Sequence, residues 1–144
     1  MILIRQAAAP DAAAIAAFNA ENDDVRGNVL FIAQQLTAVA AFEQIYVAEI
    51  DGAVVGMAGL RLLPTVCDPR PYAELTELYV SAAYRRRGIA TTLLAHIEAV
   101  ARLGGACELV LLTAWRNGGA HHFYHACGYT LYTVTMRKPL IDTP

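Results

Sequence analysis

Glu77-Leu-Tyr-Val-Ser-Ala-Ala-Tyr-Arg-Arg-Arg-Gly-Ile-Ala-Thr-Thr-Leu-Leu94 is the stretch that decides how this chain folds. Leu78, Tyr79 and Val80 carry β-branched and aromatic strand character, whereas Ile89, Leu93, Leu94, Ile97, Val100 and Ala101 recur at helical spacing. Gly88 therefore stands at a strand-to-helix junction. The first turn of a helix has N–H groups with no intrahelical partner, and the macrodipole adds partial positive charge there. A phosphate is the natural guest: Gly88 admits it close to the backbone, Ala90 keeps the next turn open, and Arg85, Arg86 and Arg87 bring fixed positive charge. The segment reads as a pyrophosphate cradle built mostly of main chain.

Two common phosphate motifs, Gly-x-x-x-x-Gly-Lys-Ser/Thr and Gly-x-Gly-x-x-Gly, are absent. Arg85-x-x-Gly88-x-Ala90, following Glu-Leu-Tyr-Val, instead resembles the Arg/Gln-x-x-Gly-x-Gly/Ala signature of the GNAT family of N-acetyltransferases. About 30 residues further on, Asn117-Gly-Gly-Ala120-His-His-Phe123-Tyr124-His-Ala-Cys-Gly128-Tyr129 resembles the family's second signature, Asn-x-x-Ala-x-x-Phe-Tyr-x-x-x-Gly-Phe/Tyr. Two motifs in the right order at the right distance are far more specific than either alone.

The resemblance covers most of the chain and implies an α/β (α+β) fold of the GNAT type. That fold is a mixed, mostly antiparallel central sheet flanked by helices, with a splayed parallel strand pair that binds acyl-CoA. It implies acetyl-CoA as cosubstrate, held by Leu78, Tyr79, Val80, Arg85, Arg86, Arg87, Gly88, Ile89, Ala90, Thr91, Asn117 and Tyr124. It also implies that Tyr124 stands where the family's general acid is found and that Asn117 orients the pantetheine amides or the thioester.

The 144 residues, 56% of them hydrophobic, suit a single domain over 1–144 with one sizeable core. A formal charge of -2 gives no basic field for nucleic acid or an anionic membrane. The apolar start Met1-Ile-Leu-Ile4 is too short for a signal or a membrane span, so a cytoplasmic location is the default expectation. Cys67, Cys107 and Cys127 are an odd set without Cys-x-x-Cys pairing, which suits a reducing compartment and small core or loop positions.

In chain order, Ile2 to Gln6 is the expected first strand, and Asp11 the expected N-cap of a helix over Ala12 to Ala20 with Ile15 and Phe18 inward. Glu21 to Gly27 is polar and turn-like, and a second helix is expected from Asn28 to Phe42. In the family the segment between these helices helps shape the acceptor pocket, so Glu21, Asp23 and Asp24 are candidates to attract a cationic amine, although a simply solvated acidic loop is the plainer reading. Ile45 to Ile50 and Ala53 to Leu60, joined by Asp51-Gly52, read as an antiparallel hairpin. Leu63 to Pro71 is irregular, with Cys67, Asp68 and Arg70 candidates for the pocket wall.

The central strand, Tyr72 to Val80, carries two carboxylates. Simple alternation puts Glu77 with Leu75 and Tyr79, and Glu74 on the other face with Thr76, Leu78 and Val80. A bulge, common at this place in the family, would spoil that alternation. The helix from Ile89 should stop at Gly104-Gly105, and Glu108 to Thr113 should form a strand parallel to the central one. A helix over Ala120 to Cys127 and an alternating edge strand over Tyr129 to Lys138 complete the reading.

Acetyl transfer to an amine needs a base to take the ammonium proton, and Glu77, nearest the cradle, is the first candidate. A main-chain N–H near Leu78 can serve the developing oxyanion, and Tyr124 the departing thiolate. His121 and His125 have the spacing of helical metal ligands but no third ligand in sequence, so no metal is expected. Covalent acetyl transfer through Cys107 or Cys127 lacks a flanking base. The expected partner is a small-molecule or peptide amine, with homodimerisation compatible with the apolar C-terminal strand. A non-catalytic acyl-CoA sensor on the same fold is the alternative.

Overall fold

A computed structural model describes residues 1–22 and 27–141, so the candidates Asp23 and Asp24 lie outside the described residues. The chain divides into two compact units, Met1–Leu112 and Thr113–Pro144. The first holds a five-stranded sheet in the order β1-β2-β3-β4-β5. Its strands are β1 (Leu3–Gln6), β2 (Glu43–Ile50), β3 (Ala53–Leu63), β4 (Tyr72–Val80) and β5 (Val110–Leu111). All neighbours are antiparallel except β4 and β5, which run parallel.

The β2–β3 turn forms because Asp51 and Gly52 both adopt left-handed backbone, φ 50° and 81°, which matches the twist of a tight hairpin. Helices α1 (Ala12–Asn22) and α2 (Val29–Ala38) cover one face of the sheet, where Ala12, Ile15, Phe18 and Ile32 pack with Val47, Met57 and Tyr79. Helix α3 (Ile89–Leu103) covers the other face with Ile89, Leu93, Leu94, Ile97 and Ala101 buried. A stripe repeating every three to four residues is what a helix lying on a sheet requires.

Asp11 is not a simple N-cap. It closes a 3₁₀ turn over Ala9–Asp11, 7% exposed, where its carboxylate accepts from Ala8 N–H at 2.8 Å and from both Arg5 terminal nitrogens at 2.8 and 2.9 Å. Arg5 Nε donates in turn to Glu49 at 3.0 Å, so one guanidinium ties β1 and β2 to the start of α1. The guanidinium, and secondarily the Ala8 N–H, hold the Asp11 carboxyl below its usual pKa against the opposing effect of burial. Asp11→Ala is expected to destabilise the fold by about 2–3 kcal/mol, less than a fully buried pair because Arg5 is partly exposed. A carboxyl with a lowered folded pKa contributes stability above its unfolded value near 3.9 and loses it as pH falls through the folded one. Urea titrations of wild type and variant should therefore converge as the pH drops below about 4.

Other boundaries differ from the sequence expectation. Helix α2 starts on its Asn28 cap, whose Oδ1 accepts from Phe31 N–H at 2.9 Å, but stops at Ala38 because residues 39–42 must turn the chain into β2. A 3₁₀ turn, Ala82–Tyr84, separates β4 from the arginine run. The β5 strand is two residues long, not six.

The bulge on β4 accounts for that last difference and overturns the alternation argument for the two carboxylates. Gly59 pairs with Glu77 but Leu60 pairs with Leu75, leaving Thr76 as the extra residue. Glu74, opposite Arg61, and Glu77, opposite Gly59, consequently lie on the same α1–α2 face, with Tyr79 opposite Met57. A Cβ built at Gly59 would overlap Thr76 Oγ1 and come within 3.4 Å of Glu77 Cβ, so the bare glycine makes room for the bulge. Pairing with β5 stops at Leu75–Leu111, so residues 76–80 of β4 lie beyond the paired stretch. Thr76 Oγ1 is sealed and has no hydrogen-bond partner among the described residues. An unpaired buried hydroxyl is costly, so Thr76→Val should stabilise the protein by about 1 kcal/mol in chemical denaturation.

The second unit contains helix α4 (Gly118–Ala126), which starts two residues before and ends one residue before the expected bounds. Asn117 caps it, its Oδ1 accepting from Ala120 N–H at 3.0 Å, and Tyr129 N–H returns to Tyr124 O at 2.9 Å after the left-handed Gly128. No strand is assigned over Tyr129 to Lys138, although the residues alternate. Alternation makes a segment competent for a strand, but only a hydrogen-bonded neighbour makes it one.

Candidate active site

The cradle is formed by backbone geometry. Arg86 and Gly88 both take left-handed conformations, φ 65° and 79°, which turn the chain sharply into α3. For arginine this costs roughly 1–2 kcal/mol, a strain of the kind stored at functional sites. No side chain caps α3, and a Cβ at Gly88 would meet nothing within 4 Å. The N–H groups of Ile89, Ala90 and Thr91 stand in the first turn and have no intrahelical partner. Arg85, Arg86 and Arg87 are exposed and form no ion pair among the described residues; Arg87 rests over the Tyr84 ring, 5.1 Å from its centroid. A diphosphate fits this donor set, with its charge met by the helix end and by guanidinium groups.

Beside the cradle, Glu77, Leu78, Tyr79 and Val80 form the half of β4 beyond the bulge. Glu74 is engaged by Arg61 at 3.4 Å and by the Tyr72 hydroxyl at 2.8 Å, and Arg61 also reaches Glu43 at 3.2 Å. Burial first, then the Glu74 carboxylate, raises the Tyr72 pKa, so that phenol stays protonated. These bonds commit Glu74 to a cross-strand ladder. Tyr79 donates its hydroxyl to Glu21, the one acidic loop candidate within the described residues. In the β3–β4 loop Asp68 grips Arg70 at 2.9 and 3.0 Å and Cys67 is exposed, as is Cys107, so neither thiol is a core residue.

In the second unit Tyr124 lies edge-on to Phe123 and Tyr129, with centroids at 5.2 and 5.8 Å. Burial, with a smaller contribution from Cys127, raises its pKa, so it is held as the protonated phenol a general acid must be. Asn117 uses its carboxamide oxygen on the helix cap, which leaves the amide nitrogen to donate elsewhere. His121 Nε2 lies 2.9 Å from Ala114 O and its ring meets Trp115, and among the described residues no three His, Cys, Asp or Glu side chains cluster for a metal. Structure adds two residues that sequence reading missed, Thr76 and Gly59, because a bulge is a register feature between strands.

A cleft of about 80 Å³ lies on the α3 face, away from Glu77, lined by Ala40, Phe42, Gln44, Leu60, Leu62 and Val100 among others. Its one polar side chain, Gln44, is already bonded to Tyr46 and Ala40, so it offers no chemistry.

The model of the acetyltransferase (GNAT) family matches residues 10–129. This chain belongs to the GNAT family. No curated protein matches. Among solved structures, a putative acetyltransferase from Agrobacterium tumefaciens str. C58 superposes with TM-score 0.84 at 23% identity, covering 95% of this chain and 99% of its own. An acetyltransferase of Trypanosoma brucei gives 0.83 at 18%, covering 97% and 100%. An aminoglycoside acetyltransferase from an uncultured soil metagenomic sample, in complex with sisomicin, gives 0.81 at 17%, covering 97% of each. These likenesses establish the GNAT fold: a mixed, mostly antiparallel sheet with helices on it. The family generally uses acetyl-CoA. Among the described residues no helix is long and apolar enough to cross a membrane.

Proposed function

We propose that this GNAT protein is an acetyl-CoA-dependent N-acetyltransferase that moves the acetyl group to a primary amine by direct transfer in a ternary complex. The observation that carries the reading is the uncapped α3 N-terminus behind left-handed Gly88, in the same unit as a carboxylate, Glu77, set on a bulged strand. Acetyl-CoA supplies a thioester whose acyl carbon an amine can attack. The N–H groups of Ile89, Ala90 and Thr91, with Arg86 and Arg87, hold its diphosphate. Glu77, directly or through water, takes a proton from the acceptor ammonium, whose free pKa lies well above neutrality. The bulged backbone near Leu78 offers a donor where negative charge develops on the acyl oxygen. Tyr124, kept protonated, gives its proton to the departing thiolate, and Asn117 orients the cosubstrate through its amide nitrogen.

Acetyltransferases of the same fold include the aminoglycoside enzyme above and a ribosomal-protein-alanine N-acetyltransferase from Brucella melitensis biovar Abortus. An acceptor panel should therefore hold aminoglycosides, alkyl diamines, amino acids and peptides with a free N-terminal alanine. Calorimetric titration with acetyl-CoA, then thiol release across that panel, tests the reading. Binding with release for one amine class establishes the enzyme and its acceptor class. Binding without release for any amine or protein supports the alternative of an acyl-CoA sensor, and no binding removes the argument for the cradle.

A further inference from the structure

Thr76 holds a hydroxyl that the fold does not use. As the extra residue of the β4 bulge it has no counterpart on β3, and its Oγ1 is sealed with no hydrogen-bond partner among the described residues. Valine has the same branched shape, suits a strand as well and carries no polar group to satisfy. A buried hydroxyl left unpaired in a native protein therefore calls for a reason other than stability.

Its position supplies one. The hydroxyl fills the place where Gly59 lacks a side chain, and Ile45 Cδ1 and Glu77 Cβ border the same place, 3.1 and 3.4 Å from where a Cβ on Gly59 would stand. Ile45 packs against the core beneath α1 and α2, so this is the face on which the register sets Glu77. In a regular strand, neighbours such as Thr76 and Glu77 point to opposite faces. The bulge cancels that alternation and gathers the hydroxyl and the carboxylate into one corner.

We propose that Thr76 is a positioning residue for Glu77, its hydroxyl orienting the carboxylate before and after the proton transfer. The proposal rests on the acetyl-transfer reading above, in which Glu77 is the base. A hydroxyl can donate one hydrogen bond and accept others, so it suits both states of its neighbour. It donates to the ionised carboxylate. Once the ammonium proton has moved from nitrogen to Glu77, the hydroxyl turns about its C–O bond and accepts from the neutral carboxyl. Thr76 keeps its own proton throughout and touches neither the amine nor the thioester. Its loss should appear in kcat and leave both binding steps alone.

The test is steady-state kinetics with the amine found in the panel, where chemistry limits the rate, with urea denaturation of the same samples. Thr76→Val keeps the shape and removes the hydroxyl. Its kcat should fall about 10-fold, with KM for the amine and the acetyl-CoA Kd within about twofold of wild type, while its urea midpoint rises. Thr76→Ser retains the hydroxyl and should keep kcat within about threefold of wild type. Added to Glu77→Gln, Thr76→Val should lower the residual rate by less than about twofold, because the hydroxyl acts only through the carboxylate.

Wild-type kcat in Thr76→Val overturns the assignment and leaves the acetyl-transfer reading intact. Equal losses in Thr76→Val and Thr76→Ser do the same, since they trace the effect to the shape of the bulge. A valine variant both slower and less stable also sinks it, by showing that the hydroxyl holds the fold together. Full additivity with Glu77→Gln would detach Thr76 from the base. Full activity in Glu77→Gln itself removes the base, before any change at Thr76, and this assignment falls with it.

Discussion

Glu77→Gln lowers kcat by about 100- to 1,000-fold while acetyl-CoA affinity stays within about twofold, if the carboxylate is the base. The substitution keeps size and hydrogen-bonding capacity but removes the group that can hold a proton. The amine must then arrive already neutral. Because an alkylammonium has a pKa near 10, the residual rate should climb steadily as the pH is raised toward that value. Glu74 cannot substitute easily, though the bulge puts it on the same face, because Arg61 and Tyr72 already occupy its oxygens. Full activity in Glu77→Gln, measured where chemistry limits the rate, would move the base to another group or to solvent.

The second large effect belongs to the cradle. Gly88→Glu should raise the acetyl-CoA Kd by at least about 100-fold, since it sets a negative charge among the N–H groups meant for a diphosphate. Space is not the obstacle, as a Cβ at Gly88 meets nothing within 4 Å. Charge and backbone conformation are. Gly88→Ala separates the two: at φ 79° any side chain strains the turn by roughly 1–2 kcal/mol, without adding charge. Calorimetry on both variants should show a modest loss for alanine and a near-complete one for glutamate. Equal and small losses would place the diphosphate away from the α3 N-terminus.

Much of this site is legible in the chain because its parts are local. Helix α3 follows from a periodic apolar face between Gly88 and Gly104, the β2–β3 turn from Asp51-Gly52, and the cradle from a glycine and three arginines in consecutive positions. Each depends on residues within one or two turns of one another. Helix α2 was read four residues too long because the turn into β2 answers to where that strand must pair, not to local propensity. The strand over Tyr129 to Lys138 failed for a related reason: its alternation is real, but pairing is a property of two segments.

From the sequence alone came the family signatures, the candidate phosphate cradle at Gly88 and the candidate base, because backbone conformation and charge at that junction are set by adjacent residues. Only the tertiary structure decided which way Glu74 and Glu77 face, that Gly59 makes room for Thr76, and that the Thr76 hydroxyl is left unpaired beside Glu77. Those facts depend on register between strands, which no local pattern encodes.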